Sequence, residues 1–298
     1  MESEKKGFDR MLPEFFIVGA PKTGTTLLYH YLKQHPEVFF PEMKEINFFS
    51  APDILNQKLY YKTKVIKRLE DYQLLYHETG DARVRGDGSV SYLFYPDVAD
   101  RIHDLIPDGR IIIMLRNPVE RAYSHYLMDK RLGYVKASFE DIITQRSTHK
   151  FQDLYYQQYV EVGLYADQVQ RYLDSFGEKQ VQIVLFEDFI KDPLTVFQKM
   201  CLFLEISDEY EPQLEKHNVF AHPGNKLVGA IYGSDFFRKL VKLLFPESWN
   251  ERIKESVLSN RKKPLLYQEV IETLWKIYVS DVTKLSTILK RDMYEYWK

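Results

Sequence analysis

Residues Phe15–Thr26 read FFIVGAPKTGTT, and the order of residue types in this stretch decides the fold. Phe15, Phe16, Ile17 and Val18 suit a strand buried on both faces, as in a parallel sheet. Leu27, Leu28, Tyr31 and Leu32 then recur at helical spacing. Between the two, Gly19 and Gly24 permit a tight turn. Thr25 and Thr26 place hydroxyls and free backbone N–H groups at a helix N-terminus, where the dipole favours an anion. The stretch therefore reads as strand, anion-binding loop and helix, and the loop should hold a phosphate or sulfate oxyanion.

The spacing from Gly19 to Gly24 matches the phosphate loop of nucleotidases, but Thr25 stands where that pattern wants a lysine. The loop's lysine is Lys22, three residues earlier than the pattern requires. Further on, Arg110–Arg116 reads RIIIMLR, a β-branched core strand that ends in arginine. A magnesium nucleotidase would prefer an aspartate there, so Arg116 argues for a bare phosphate as ligand. Asn117-Pro118 starts a helix, with Pro118 near its first position.

Composition sets the bounds. With 298 residues, 45% of them hydrophobic, the chain can bury a full α/β core. We expect a polar tail over residues 1–12 and one domain over residues 13–298. A net charge of -2 disfavours a general nucleic-acid binder. The single cysteine, Cys201, sits in an apolar helical stretch and reads as a buried core residue. Apolar runs such as Ile111–Leu115 are too short to cross a bilayer, so a cytoplasmic protein without membrane partners is expected.

PKTGTT, followed by KEINFF and much later by RNPVERAYSHY, resembles the sulfotransferases that use 3′-phosphoadenosine 5′-phosphosulfate (PAPS). The resemblance is to the branch holding the heparan sulfate sulfotransferases and bacterial small-molecule enzymes. Because Golgi members carry a membrane anchor, it points to a bacterial type of enzyme or an excised catalytic domain. It implies that Lys22 neutralises the leaving oxygen and that Thr23, Gly24, Thr25 and Thr26 cradle the 5′-phosphosulfate. It implies that Arg116 and Ser124 bind the 3′-phosphate, and that Lys226 closes over the donor from a polar loop. A glutamate shortly before a paired phenylalanine is the family's base, and Glu45 occupies that place, with Glu42 the weaker candidate. A carboxylate beside Phe48 and Phe49 would have its pKa raised towards the working range. No metal is implied.

The segment RGDGSVSY enters the acceptor cleft in the family, where polysaccharide enzymes carry an acidic residue and a lysine. Asp87 is kept in kind, but Gly88 stands in the lysine's place. Asp87 and Ser89 are thus candidates to line the acceptor pocket, and Asp-Gly-Ser is equally an ordinary turn. The missing lysine, with an aromatic content of 15%, favours a small-molecule or carrier-bound hydroxyl or amine over a glycosaminoglycan, as in natural-product biosynthesis.

The remaining segments carry structure. Residues 56–78 read as helices with a solvated face. Glu187 and Asp188 read as helix caps, and Phe236–Lys298 as amphipathic helices. The expected architecture is a three-layer α/β/α, P-loop-like fold with a short, mainly parallel central sheet and a helical C-terminal region. Two other readings stay open, a P-loop kinase of a small alcohol and a non-catalytic nucleotide-binding scaffold.

Overall fold

The computed structural model describes residues 12–214, 222–223, 258–259 and 264–298. Lys226 lies outside the described residues. By contact, the chain groups into two compact units, one of residues 1–121, 162–214 and 277–298, the other of residues 122–161 and 215–276.

The first unit is built on a five-stranded sheet. In chain order it comprises β1 (Phe15–Gly19), α1 (Thr25–Gln34), β2 (Val38–Phe39), α2 (Ala51–Gln57), α3 (Leu69–Leu74), β3 (Val84–Asp87), α4 (Val98–Leu105) and β4 (Arg110–Leu115). Helix α5 (Pro118–Leu132) follows, then, beyond residue 161, α8 (Ala166–Phe176), β5 (Val181–Leu185), α9 (Phe186–Lys191) and α10 (Pro193–Leu204). Every neighbour pair in the order β2-β3-β1-β4-β5 is parallel. The expected parallel strand over FFIVG is therefore the centre of the sheet, with every residue buried.

The two faces of the sheet explain the sequence pattern. Phe15, Ile17, Ile112, Met114 and Val184 point to one face and pack with Leu28 and Leu32 of α1 and with Phe197, Met200, Cys201 and Leu204 of α10. Cys201 is buried and free. On the opposite face, α8 presents Val169, Tyr172 and Phe176, and the Tyr172 hydroxyl donates to Tyr92 O at 2.9 Å. Helices thus cover both faces, as a parallel sheet of apolar strands requires.

The C-terminal helix α11 (Gln268–Leu289) buries Leu274, Val282 and Leu285, and in the first unit its Asp281 accepts from the N–H groups of Tyr165 and Ala166 (2.7 and 3.1 Å), capping α8. The last helix, α12 (Met293–Trp297), buries Met293 and Trp297. In the second unit, α5 continues with α6 (Phe139–Ile143) and α7 (Gln152–Tyr159). Here Tyr126 packs tilted against Phe139 and T-shaped against Tyr159, and the Tyr159 hydroxyl donates to buried Asp129 at 2.8 Å. Among the described residues no helix is long and apolar enough to cross a membrane.

One expectation is corrected here. Residues 58–68 form no helix. Their backbone pairs with the loop before α2 instead, Ile66 N donating to Ile46 O (3.1 Å) and Lys64 O accepting from Asn47 Nδ2 (3.1 Å). Tertiary hydrogen bonds replace the helical ones that the polar, tyrosine-rich composition suggested.

Gly86 in β3 shows how closely the first unit is packed, since a Cβ there would overlap the rings of Phe15 and Phe40. We predict that Gly86→Ala lowers the unfolding free energy by about 1–3 kcal/mol; a smaller loss in urea melts would mean that the two rings can move aside.

Candidate active site

The anion loop is held from within. Thr23 is fully buried and its hydroxyl donates to Ala20 O at 2.7 Å, closing the turn. Gly24 caps α1 at φ 88° with no side-chain cap, while its carbonyl accepts from Leu27 N and Leu28 N (2.9 and 3.2 Å). The first-turn amides of α1 are left facing outward, as an anion cradle requires. Thr25 is buried, whereas Thr26 is exposed.

Gly24 is needed for a second reason, because a Cβ there would lie 2.8 Å from Phe186 Cδ2. The same phenyl ring carries the Arg116 guanidinium, whose Cζ stands 4.5 Å from the ring centroid. Arg116 Nη1 also donates to Lys22 O at 3.4 Å. The lysine turn and the strand-end arginine therefore share one surface. Burial pushes the Arg116 guanidinium below its ordinary pKa, and Glu120 (3.4 Å) and Glu187 offset this only in part. An anion bound beside it would complete its charge balance.

Glu45 sits on the loop between β2 and α2 with its backbone at φ 60°, and Asn47 follows at φ 55°. Side chains other than glycine hold such conformations at a cost of order 1 kcal/mol each, so the surroundings must enforce them. Asn47 does so from inside the loop, its Nδ2 donating to Glu45 O (2.8 Å) and its Oδ1 accepting from Ser91 (2.7 Å). Beneath it, Asp87 at the end of β3 is fully buried and accepts from the hydroxyls of Ser89 (2.7 Å), Tyr72 (2.9 Å) and Tyr92 (2.9 Å). Ser89 Oγ in turn accepts from Asn47 N (3.0 Å), and Tyr92 OH from Phe48 N (3.0 Å). Asp87 thus grips the glutamate loop through two relayed hydrogen bonds.

The Glu45 carboxylate accepts from Val90 N at Oε2 (2.9 Å) and pairs with Lys44 Nζ at Oε1 (3.5 Å). Burial raises its pKa above the ordinary 4.5, and Lys44 and the Val90 N–H work against that rise. Its side chain is still 35% exposed, so the carboxylate is reachable. Lys44 Nζ also donates to Thr26 Oγ1 at 2.8 Å, so one ammonium stands between the glutamate and the anion loop. This arrangement can take a proton from a nucleophile beside a bound anion.

The sequence expectations meet this geometry unevenly. Arg116 meets the turn of Lys22 through the Lys22 carbonyl, and Glu45 is tied to the same loop through Lys44 and Thr26. Asp87 and Ser89, expected to line an acceptor pocket, are instead fully buried beneath the loop with their polar atoms committed inward. Ser124 lies half-buried on the part of α5 that groups with the second unit. Glu187 and Asp188 do not cap a helix. Glu187 accepts from Asn117 N (2.9 Å) and Trp297 Nε1 (3.2 Å), and Asp188 from Arg291 (2.9 Å) and the Tyr296 hydroxyl (2.7 Å), so the pair binds the C-terminal segment. Lys44 and Phe186 were missed. Only the adjacency of Lys44 to Glu45 in KEINFF could have drawn attention to it. Beside the glutamate loop lies a cavity of about 530 Å³, lined by the apolar Phe48, Phe49, Pro52 and Leu55 and by the charged Lys67, Arg101 and Asp104.

Comparison with known proteins points to one family. The model of the sulfotransferase family matches residues 13–211. A solved sulfotransferase from Alicyclobacillus acidocaldarius is 32% identical and superposes with a TM-score of 0.70, over 96% of this chain and 98% of that one. Among curated proteins, the bifunctional heparan sulfate N-deacetylase/N-sulfotransferase 1 of Caenorhabditis briggsae is 24% identical over 212 residues, 67% of this chain and 23% of that protein. Human carbohydrate sulfotransferase 15 is 26% identical over 255 residues, 68% of this chain and 46% of that protein. The chain thus spans from about a quarter to about half the length of these curated relatives.

The buried Asp87 generates a prediction. Burial raises its pKa from 3.8 to about 6, against the hydrogen bonds it accepts. The native state therefore holds this proton more tightly than the unfolded chain, and the contribution to stability is lost as pH rises from 3.8 to about 6. In denaturant melts across that window, Asp87→Asn should show a flatter fall of stability with rising pH than the wild type; identical slopes would remove Asp87 from the titration.

Proposed function

The chain belongs to the sulfotransferase family, and on that premise we propose that it transfers a sulfonate from PAPS to a hydroxyl or amine of a small-molecule or carrier-bound acceptor. The observation that carries this reading is the single Lys44 ammonium standing between Thr26 Oγ1 of the anion loop and Glu45 Oε1. A carboxylate base and an oxyanion cradle lie within one side chain of each other.

The donor brings a sulfonate already joined to a phosphate leaving group. Lys22 and the amides of Gly24, Thr25 and Thr26 hold the phosphosulfate at the positive end of α1, with Thr23 bracing the turn from beneath. Arg116, seated on Phe186, takes the 3′-phosphate with Ser124. Lys226 is proposed, by resemblance alone, to cover the donor. Glu45 accepts the acceptor's proton as its oxygen or nitrogen bonds to sulfur, and the bond from sulfur to the 5′-phosphate oxygen breaks in line. The charge that grows on that oxygen faces Lys22. No covalent intermediate with the chain is required.

The preference for a small-molecule or carrier-bound acceptor over a polyanionic chain rests on Gly88, which stands where the polysaccharide enzymes that the chain resembles carry a lysine. Screening labelled PAPS against phenols, alkanols, amino sugars and heparan-type chains tests this choice, and turnover on heparan-type chains alone would overturn it.

Two substitutions test the chemistry. Lys22→Ala should lower turnover by roughly two to three orders of magnitude, and a near-normal rate would reject its role at the leaving oxygen. Because burial raises the Glu45 pKa, its base form is lost as pH falls through a midpoint above 4.5. The acid limb of the turnover profile should therefore lie above that value, and Glu45→Gln should abolish the limb along with most of the rate.

A further inference from the structure

Lys44 is held on three sides. Its Nζ is 2.8 Å from Thr26 Oγ1, 3.5 Å from Glu45 Oε1 and 5.5 Å from the centre of the Tyr29 ring. Its methylenes run past Gly88, where an added Cβ would lie 3.8 Å from Lys44 Cε and 3.1 Å from Tyr29 Cδ2. A bulkier residue at 88 would crowd the tyrosine that flanks this path.

The charges around the ammonium give this placement a purpose. Glu45 and Asp87 repel each other, each being a carboxyl partly or wholly withdrawn from water. Asp87 has its three hydroxyl donors. Glu45 has the Val90 N–H and Lys44, and the Tyr29 hydroxyl is engaged elsewhere, donating to Pro41 O at 3.2 Å. Among the described residues, the ammonium is a full positive charge that faces the Glu45 carboxylate. It also touches the hydroxyl that ends the anion loop, on α1's first turn.

We propose that Lys44 is a positioning residue for the transfer, its ammonium shared between Glu45 Oε1 and Thr26 Oγ1 so that the carboxylate is aimed at the donor loop and its countercharge lies beside the migrating sulfonate. The inference rests on Glu45 being the base. In the reaction the acceptor proton moves to Glu45 as the new bond to sulfur forms and the bond to the phosphate oxygen breaks. Neutralising the carboxylate frees the ammonium to face the sulfonate oxygens, and Lys44 keeps its own protons throughout. The 3.5 Å pairing with Glu45, looser than the 2.8 Å bond to Thr26, leaves room on Oε1 for the incoming proton.

The test combines a titration with kinetics. In donor-free protein carrying carbon-13 at the glutamate side-chain carboxyls, the Glu45 resonance is identified by its loss in Glu45→Gln and followed against pH. Lys44→Met should raise its midpoint by about one pH unit, and Lys44→Arg should restore most of the wild-type value. In parallel, Lys44→Met should lower kcat for transfer from PAPS to p-nitrophenol by at least about tenfold, with Lys44→Arg recovering part of it. An unmoved Glu45 midpoint, or a Lys44→Met rate within about threefold of wild type, overturns the proposal. Weaker calorimetric binding of adenosine 3′,5′-bisphosphate with an unmoved midpoint also overturns it, by assigning Lys44 to the donor grip alone. Wild-type turnover in Glu45→Gln would instead refute the base assignment, while the titration still reports whether Lys44 and Glu45 are coupled.

Discussion

Parallel pairing of β1 with β3 on one side and β4 on the other is the constraint on which the site depends. Phe16 stands beside Asp87 and Ile111, and Leu115 beside Leu185 of β5. Because the strands run the same way, their C-terminal ends fall on one edge of the sheet. Groups that shape the site follow such ends: Lys22 after β1, Asp87 closing β3, Arg116 after β4 and Phe186 after β5, while Glu45 stands on the loop that follows β2. Ligands of open parallel sheets bind at this edge because the loops there diverge over two covering helices. An antiparallel partner at any of these positions would have sent one group to the far side.

Around this edge the protein supports polar groups in layers. The glutamate loop carries two residues in left-handed conformations, Glu45 and Asn47, and the local bond from Asn47 Nδ2 to Glu45 O holds them only in part. They are held because Asp87 gathers three hydroxyls below them and two of those hydroxyls accept backbone N–H groups of the loop. A buried carboxyl is costly unless its lone pairs are matched, and here the matching groups also fix the loop. Position and solvation of the Glu45 loop are thus parts of one network.

The aromatic content has the same explanation. The chain holds 22 tyrosines, and many serve as buried donors. Tyr72 and Tyr92 serve Asp87, Tyr165 donates to Arg116 O (3.0 Å), and Tyr172 to Tyr92 O. An aromatic composition of 15% therefore speaks mainly of the core and only weakly of the acceptor. The C-terminus adds a further brace, because Asn117 Nδ2 donates to Trp297 O at 2.6 Å next to Arg116, while Glu187 and Asp188 hold the same segment. Residues 180 positions apart in the chain thereby set the place of the strand-end arginine.

By itself, the sequence determined what depends on neighbours in the chain: the strand, loop and helix at Phe15–Thr26, the β4 strand ending in Arg116, the buried helix around Cys201, and the order of motifs that marks the family. These are legible because hydrophobic period, glycine placement and helix starts act over a few residues. Tertiary structure alone decided that Asp87 is buried beneath the glutamate loop, that Glu187 and Asp188 bind the C-terminus, that residues 58–68 pair with a loop, and that Lys44 bridges Glu45 and Thr26. Each of these turns on which distant donor or acceptor meets a polar group. A carboxylate, a lysine or a backbone amide is equally content with water or with a far partner until the fold removes the water, so local residue order cannot choose between them.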